Sequence, residues 1–353
     1  MIQVSHDGGN TFGPPRPINP SQGFQTDLQL AVNGAGIVWV AYLSNKDTLV
    51  QRSDDFGQTW LAPVAANVDI KEAWTDKVGL AVRGDDVYVS FSIAQRYYVS
   101  YSHDRGHTFT AVQLNSQSKD TGWTLANGGA VDSQGNVYFS WVGIHQSGNA
   151  LGSQEVFLTK SPNGGRSWSF ITLAEDMPPG PDCTVFSCGW DFWGPQIVVA
   201  AGTADDLYVA YNAGLQDQGP PYVWFQASAD GGKSWTRRTV VHKDGQSKAY
   251  HLFPAIAGGS RSEVHLSWMD NRLGKFNVYY RTSANGGANF GPEVRVNQNL
   301  GFNYQSNEGF KFTYGDYYGI ARDDGGNIHI AWGEGPGYKR QSGPGNVFYV
   351  RTR

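Results

Sequence analysis

An eight-residue turn, Ser-x-Asp-x-Gly-x-Thr-aromatic, recurs six times along the 353-residue chain and constrains its architecture more than any other feature. The copies start at Ser5, Ser53, Ser102, Ser161, Ser228 and Ser283, and close on Phe12, Trp60, Phe109, Trp168, Trp235 and Phe290. Two copies replace the acid, with Asn163 and Asn285, and the last also carries Asn289 in place of Thr. A fixed turn returning roughly every 50 to 65 residues signals a repeated small sheet rather than one large one.

Each position in the turn has a physical job. The Asp or Asn side chain accepts hydrogen bonds from backbone N–H groups just ahead of it and closes a tight loop. The glycine supplies a positive φ that other residues take at a cost. The serine and threonine hydroxyls tie the flanks together, and the closing aromatic ring pins the turn to the neighbouring sheet. These turns are therefore read as folding staples, with any chemistry placed elsewhere.

Period-two alternation marks the strands around them. In the repeat closed by Ser283–Phe290, Ala255–Ala257, Val264–Trp268 and Val278–Thr282 precede the turn, and Glu293–Val296 follows it. Equivalent second strands are Ile37–Tyr42, Val87–Phe91, Val137–Trp141, Leu207–Tyr211 and Ile328–Trp332. The last repeat ends without a turn, whereas the N-terminus offers a turn followed by Pro15–Ile18, so the two termini are expected to close one ring. The whole of residues 1–353 is read as a single domain, with no linker between repeats.

Composition narrows the partners. The formal net charge is −4 and no basic block is present, which argues against nucleic acid and anionic membrane. No stretch reaches the ~20 apolar residues of a membrane span. Aromatic residues make up 14% of the chain, which suits sugar-stacking surfaces as well as packed strands. The start, Met1-Ile-Gln-Val, lacks a signal sequence but lies almost inside a repeat, as in a mature secreted chain. Cys183 and Cys188 are the only cysteines; a small disulfide loop is the leading reading and two free thiols the alternative. Neither a metal ligand set nor a cofactor motif accompanies them. An extracellular or periplasmic monomer is expected.

The turns match the Asp-box, or bacterial neuraminidase repeat, and the chain resembles the sialidase-like Asp-box family over nearly its whole length. The resemblance implies an all-β fold: a six-bladed β-propeller of four-stranded antiparallel blades, each turn joining a third strand to a fourth. The turns then crowd one face, and the opposite face is built by the segments entering each first strand and by the loops joining second to third strands. Those entering segments carry Asp27, Trp74, Asp76, Lys77, Trp123, Trp193, Tyr250, His251, Tyr314, Asp316 and Tyr317. The joining loops add Arg96, Arg272 and Arg340. Aromatic faces with a few fixing polar groups suit a glycan.

For the family's hydrolysis of a sialoside, the resemblance implies Tyr317 as nucleophile, polarised by Glu308 or Glu334, with Asp76 or Asp27 as acid/base. A neutral tyrosine nucleophile is a known exception to the two-carboxylate rule of glycosidases. The family's carboxylate-binding arginines are missing, since Gln25-Thr-Asp27 and Tyr250-His251-Leu252-Phe253 stand where two of them belong. Arg96, Arg272 and Arg340 are the candidates for a substitute cluster, because a planar guanidinium meets a carboxylate with two charge-assisted bonds. Trp-Met-Asp270-Asn-Arg272 also reads as an internal ion pair. Two alternatives stay open: a non-catalytic extracellular propeller that binds glycan or protein, and a uronic-acid lyase with His251 or Tyr250 as base.

Overall fold

The computed structural model describes residues 1–20, 23, 25–70, 74–93, 95–115, 123–145, 153–178, 196–203, 205–216, 219–245, 248–260, 262–298, 318–334 and 346–352. They form a six-bladed all-β propeller, each blade an antiparallel meander. Blade one comprises β1 (Gln25–Val32), β2 (Val38–Ser44), β3 (Asp47–Ser53) and β4 (Val64–Ala65). Blade two follows with β5 (Asp76–Arg83), β6 (Asp86–Ile93), β7 (Arg96–Ser102) and β8 (Thr110–Gln113). Blade three holds β9 (Trp123–Val131), β10 (Val137–Ile144), β11 (Gln154–Ser161) and β12 (Ser169–Met177). Blade four is β13 (Ile197–Ala201), β14 (Leu207–Gly214), β15 (Pro221–Ser228) and β16 (Thr239–Val240). Blade five is β17 (His251–Gly258), β18 (Val264–Asp270), β19 (Asn277–Ser283) and β20 (Val294–Arg295). Blade six is β21 (Tyr318–Arg322), β22 (Ile328–Glu334) and β23 (Asn346–Arg351).

The repeated turn joins third to fourth strand as expected, and its hydrogen bonds explain its composition. In the turn after β3, Gly57 donates its N–H to Ser53 Oγ at 2.7 Å. Thr59 donates both its N–H and its hydroxyl to the Asp55 carboxylate, at 2.8 and 2.6 Å. These donors hold the Asp55 carboxyl down at about 2. Asn163 repeats the backbone half of this pattern by accepting from Ser167 N–H at 2.9 Å.

Successive blades pack through alternating strand faces. Trp39, Ala41 and Leu43 of blade one meet Val78, Leu80 and Val87 of blade two. Val264, Leu266 and Trp268 of blade five meet Tyr208, Ala210 and Phe225 of blade four. On its other face blade five packs Leu252, Met269 and Val278 against Ile328, Ile330 and Trp332 of blade six. Buried rings such as Trp39, Trp141 and Trp268 fill these seams, where close packing makes each methylene count.

The termini meet at the rim through side chains. Arg351 donates to the carbonyl of Gly8, as Lys160 does to Gly231 at 2.9 Å and Arg52 to Arg105 at 2.7 Å between successive blades. Phe12 meets Tyr349 edge-on with ring centroids 5.0 Å apart. Gly9 has a φ of 86° and lies against the Tyr349 ring, so a side chain there would be both strained and obstructed. Among the described residues β23 has no fourth strand beside it. The expected fourth strand, Pro15–Ile18, instead pairs through Arg16 with Ile2, exchanging two backbone hydrogen bonds of 2.8 Å.

Candidate functional site

The inner strands share a local irregularity that positions the site. β1, β5, β9 and β17 each carry a bulge at the same register, between Thr26 and Gln29, Asp76 and Gly79, Ala126 and Gly129, and Leu252 and Ala255. Three residues opening these bulges adopt positive φ: Asp27 at 55°, Lys77 at 52° and Phe253 at 53°. Non-glycine residues hold that conformation only where the surroundings impose it, and bulges re-aim side chains. All three line a cavity of about 670 Å³ around the propeller axis. Gln196, Tyr318 and Trp332 line it as well.

Asp27, which lines this cavity, shares a backbone donor with Asp76, which does not line it. The Lys77 N–H lies 3.2 Å from Asp27 Oδ2 and 3.0 Å from Asp76 Oδ1, a bifurcated donation across the seam between blades one and two. Thr26 donates its hydroxyl to Asp27 Oδ1 at 3.0 Å, fixing the other oxygen. Asp27 is buried and Asp76 half-buried. Sharing one nitrogen places the two accepting oxygens no more than about 6 Å apart. Among the described residues, Lys77 is the only lysine or arginine that lines the cavity.

Other residues expected at the site lie elsewhere. Arg272 is spent inside blade five: its Nε reaches both Asp270 oxygens at 2.9 and 3.0 Å, Nη2 reaches Oδ2 at 2.5 Å, and Nη1 pairs with Glu293. The guanidinium also covers the Tyr279 ring at 4.2 Å. Of the two readings of Asp270–Arg272, the internal ion pair is therefore the correct one. His251 is wholly buried, with Nδ1 at 3.1 Å from the Pro221 carbonyl and Nε2 at 3.0 Å from Asp244. Its ring stacks on His242 with centroids 3.5 Å apart, away from the axis. Tyr250 is half-buried against the core of blades five and six, its hydroxyl pushed up to about 12 by burial. With both rings drawn into packing, the lyase reading loses its bases.

Trp74 is exposed and does not line the cavity. Arg96 opens β7, where its carbonyl accepts from the Thr124 hydroxyl at 3.2 Å, and it too stands off the lining. Trp123 opens β9 and Glu334 ends β22, opposite Asn346. Glu308, Tyr314, Asp316, Tyr317, Arg340 and Trp193 lie outside the described residues, as do Cys183 and Cys188. The inner-strand bulges were missed in the sequence, as was the His242–Asp244–His251 network. A bulge leaves no fixed residue signature, and the three network residues follow no ligand spacing.

Fold and cavity together define the class: a six-bladed β-propeller with a cavity among its inner strands. The chain is similar to the intramolecular trans-sialidase from Ruminococcus gnavus, with a TM-score of 0.56 and 11% identity over 93% of this chain and 94% of that one. It is also similar to an α-L-arabinofuranosidase from Fusarium graminearum, with a TM-score of 0.53 and 12% identity over 92% of each chain. A third likeness is the Hadza microbial sialidase Hz136, with a TM-score of 0.54 and 15% identity over 87% of this chain. Of that sialidase the chain spans 63%. No family model and no curated protein matches the chain. Identities this low speak to fold alone.

Proposed function

We propose that the protein is a glycoside hydrolase that cleaves a terminal sugar at the axial cavity, with Asp27 and Asp76 supplying the acid and base chemistry. The observation that carries this reading is the convergence of both carboxylates on the single Lys77 amide. Retaining glycosidases set their two carboxyl groups about 5–5.5 Å apart, a spacing that a shared backbone donor accommodates. One group then attacks the anomeric carbon while the other protonates the leaving oxygen. Asp27, buried and tied to Thr26, suits the fixed anionic role; Asp76, more open, suits proton exchange with the leaving group and water. Lys77 offers the positive charge that steadies an acidic or hydroxyl-rich sugar.

The exo-sialidase form of this activity adds Tyr317 as nucleophile, with Glu308 or Glu334 as its base and one of the two aspartates as acid. A neutral sugar is favoured by one specific observation: Arg272 is consumed by Asp270 and Glu293, and among the described residues the cavity lining holds one lysine, Lys77, and one aspartate, Asp27. Such a mouth receives a sugar carboxylate poorly.

The test is hydrolysis of chromogenic sialosides, arabinofuranosides and xylosides by the parent, Asp27→Asn, Asp76→Asn and Tyr317→Phe. The proposal expects turnover of one class, lowered by at least about a hundredfold in both aspartate variants. Turnover that survives both aspartate changes would sink it. Collapse in Tyr317→Phe together with sialoside preference would select the exo-sialidase form.

A further inference from the structure

Where blade four gives way to blade five, a group of polar side chains lies largely buried outside the axial cavity. His242 follows β16, Asp244 stands in the link, and His251 opens β17. One Asp244 oxygen is in direct contact with His242 Nδ1, and the other lies 3.0 Å from His251 Nε2. One donor atom from each of the three residues lies within 4.8 Å of the others. His242 and His251 are 5% and 0% exposed, and the Tyr222 ring stands over both, with centroids 5.0 and 5.8 Å away.

Hydrogen bonding leaves this group short of a cation. The Pro221 carbonyl, 3.1 Å from His251 Nδ1, can only accept, so Nδ1 carries the ring hydrogen. In the neutral imidazole the Nε2 lone pair then points at a carboxylate oxygen, and two acceptors face each other at 3.0 Å. An imidazole that donates one N–H to a backbone carbonyl and turns its other nitrogen inward has the arrangement of a metal-ligating histidine. His242 Nε2 is buried with no hydrogen-bond partner. The surrounding charges agree. Asp244, Asp270 and Glu293 are gathered around one guanidinium, that of Arg272, whose Nε lies 3.9 Å from Asp244 Oδ2. With neutral imidazoles, three carboxylates against one guanidinium leave the two positive charges that a divalent ion supplies.

We propose that His242, Asp244 and His251 form a binding site for a divalent transition-metal ion of the zinc class. Two imidazole nitrogens and a carboxylate are donors such ions prefer, whereas calcium and magnesium take oxygen. Tetrahedral bonds of about 2.0–2.1 Å set ligand atoms roughly 3.3 Å apart, so the three donors need little gathering. The two rings stack with centroids 3.5 Å apart, so one must turn about its Cβ–Cγ bond for both in-plane lone pairs to reach one ion. His242 can turn without losing a partner at Nε2. Asp270 Oδ2 lies 3.9 Å from His251 Nε2, which puts a further oxygen beside the ion. Burial makes the site a closed, structural one that ties the link between blades four and five. Because β17 also carries Phe253, the tie fixes one wall of the axial cavity.

The probe is Co²⁺, followed by calorimetry and visible absorption, added to the untagged full chain after treatment with EDTA and dialysis. One equivalent is expected to bind saturably with the visible bands of a low-coordinate site. Zn²⁺ should displace it and raise the melting temperature. His242→Gln and, separately, Asp244→Asn should weaken Co²⁺ binding at least about tenfold and abolish the rise in melting temperature with Zn²⁺. Absence of saturable Co²⁺ uptake by the parent chain overturns the proposal. Uptake that both variants retain would place the ion on other residues and overturn it as well.

Discussion

The seam between blades four and five and the seam between blades six and one are built from the same repeat, yet among the described residues only the first is closely packed. At the filled seam Trp268, Leu266 and Tyr279 interlock with Tyr208, Ala210 and Phe225, and Asp270 is wholly buried under Arg272. At the second, Leu28 and Leu30 are 40% and 48% exposed and line a cavity that Gly319, Ala321, Ala331 and Trp332 of blade six line as well. The difference lies in what stands opposite, since the register positions are equivalent. Burial in a propeller belongs to the pair of blades, and a strand pattern alone does not say whether the partner is present.

Changes at the filled seam should cost most. Arg272→Ala leaves the buried Asp270 without its guanidinium counter-charge, an expected loss of about 3–5 kcal/mol in chemical denaturation. A loss under about 1 kcal/mol would show that water reaches Asp270. The apolar comparison is next: Leu80→Ala should cost about 2–4 kcal/mol, and Leu30→Ala, at the equivalent position of blade one, under about 0.5 kcal/mol. Equal costs would mean that Leu30 is covered in solution.

Titration sharpens the contrast further. Burial, with His251 stacked beside it, pushes the His242 imidazole down to about 3, so the folded state holds it neutral. The unfolded chain binds that proton near 6.5, so this contribution is complete above pH 6.5 and is lost as pH falls from there toward 3. His242→Gln should flatten the stability profile across that window. An unchanged slope would place the loss in other groups. The smallest effect is expected at the turns. Donors from Thr11 and Thr59 hold Asp7 and Asp55 at about 2, below the ordinary carboxylate value, so their contribution is complete above about pH 4 and lost toward 2. Asp55→Asn should remove its share of that acid limb while keeping the turn, because Asn163 already accepts the same backbone bond in blade three.

Much of the fold was legible in the sequence because its signals are local. The turn residues bond to one another within eight positions, and strands such as Val264–Trp268 alternate with period two, so neither needed knowledge of distant partners. The placement of residues 2–16 was harder. Pro15–Ile18 reads as the fourth strand of blade six by topology, whereas in the structure Arg16 pairs with Ile2 and no fourth strand lies beside β23 among the described residues. The site was legible in part. Asp27, Asp76 and Lys77 stood out as polar residues entering first strands; the Lys77 N–H joins the two carboxylates, and Asp27 and Lys77 line the cavity. His251 and Arg272 carried the same signal but are captured by Asp244, Asp270 and Glu293 from other elements. Whether a polar residue faces a cavity or an internal counter-charge is decided by tertiary contacts that no single segment encodes.

The central claim, that Asp27 and Asp76 together perform glycoside cleavage, is tested most directly by covalent trapping. The protein would be incubated with a 2-deoxy-2-fluoro glycoside of whichever class it hydrolyses, and the labelled peptide identified by mass spectrometry. A glycosyl adduct on Asp27 or Asp76, lost when that residue is replaced by asparagine, is the result expected. Turnover accompanied by a label on a residue away from the axial cavity would contradict the account.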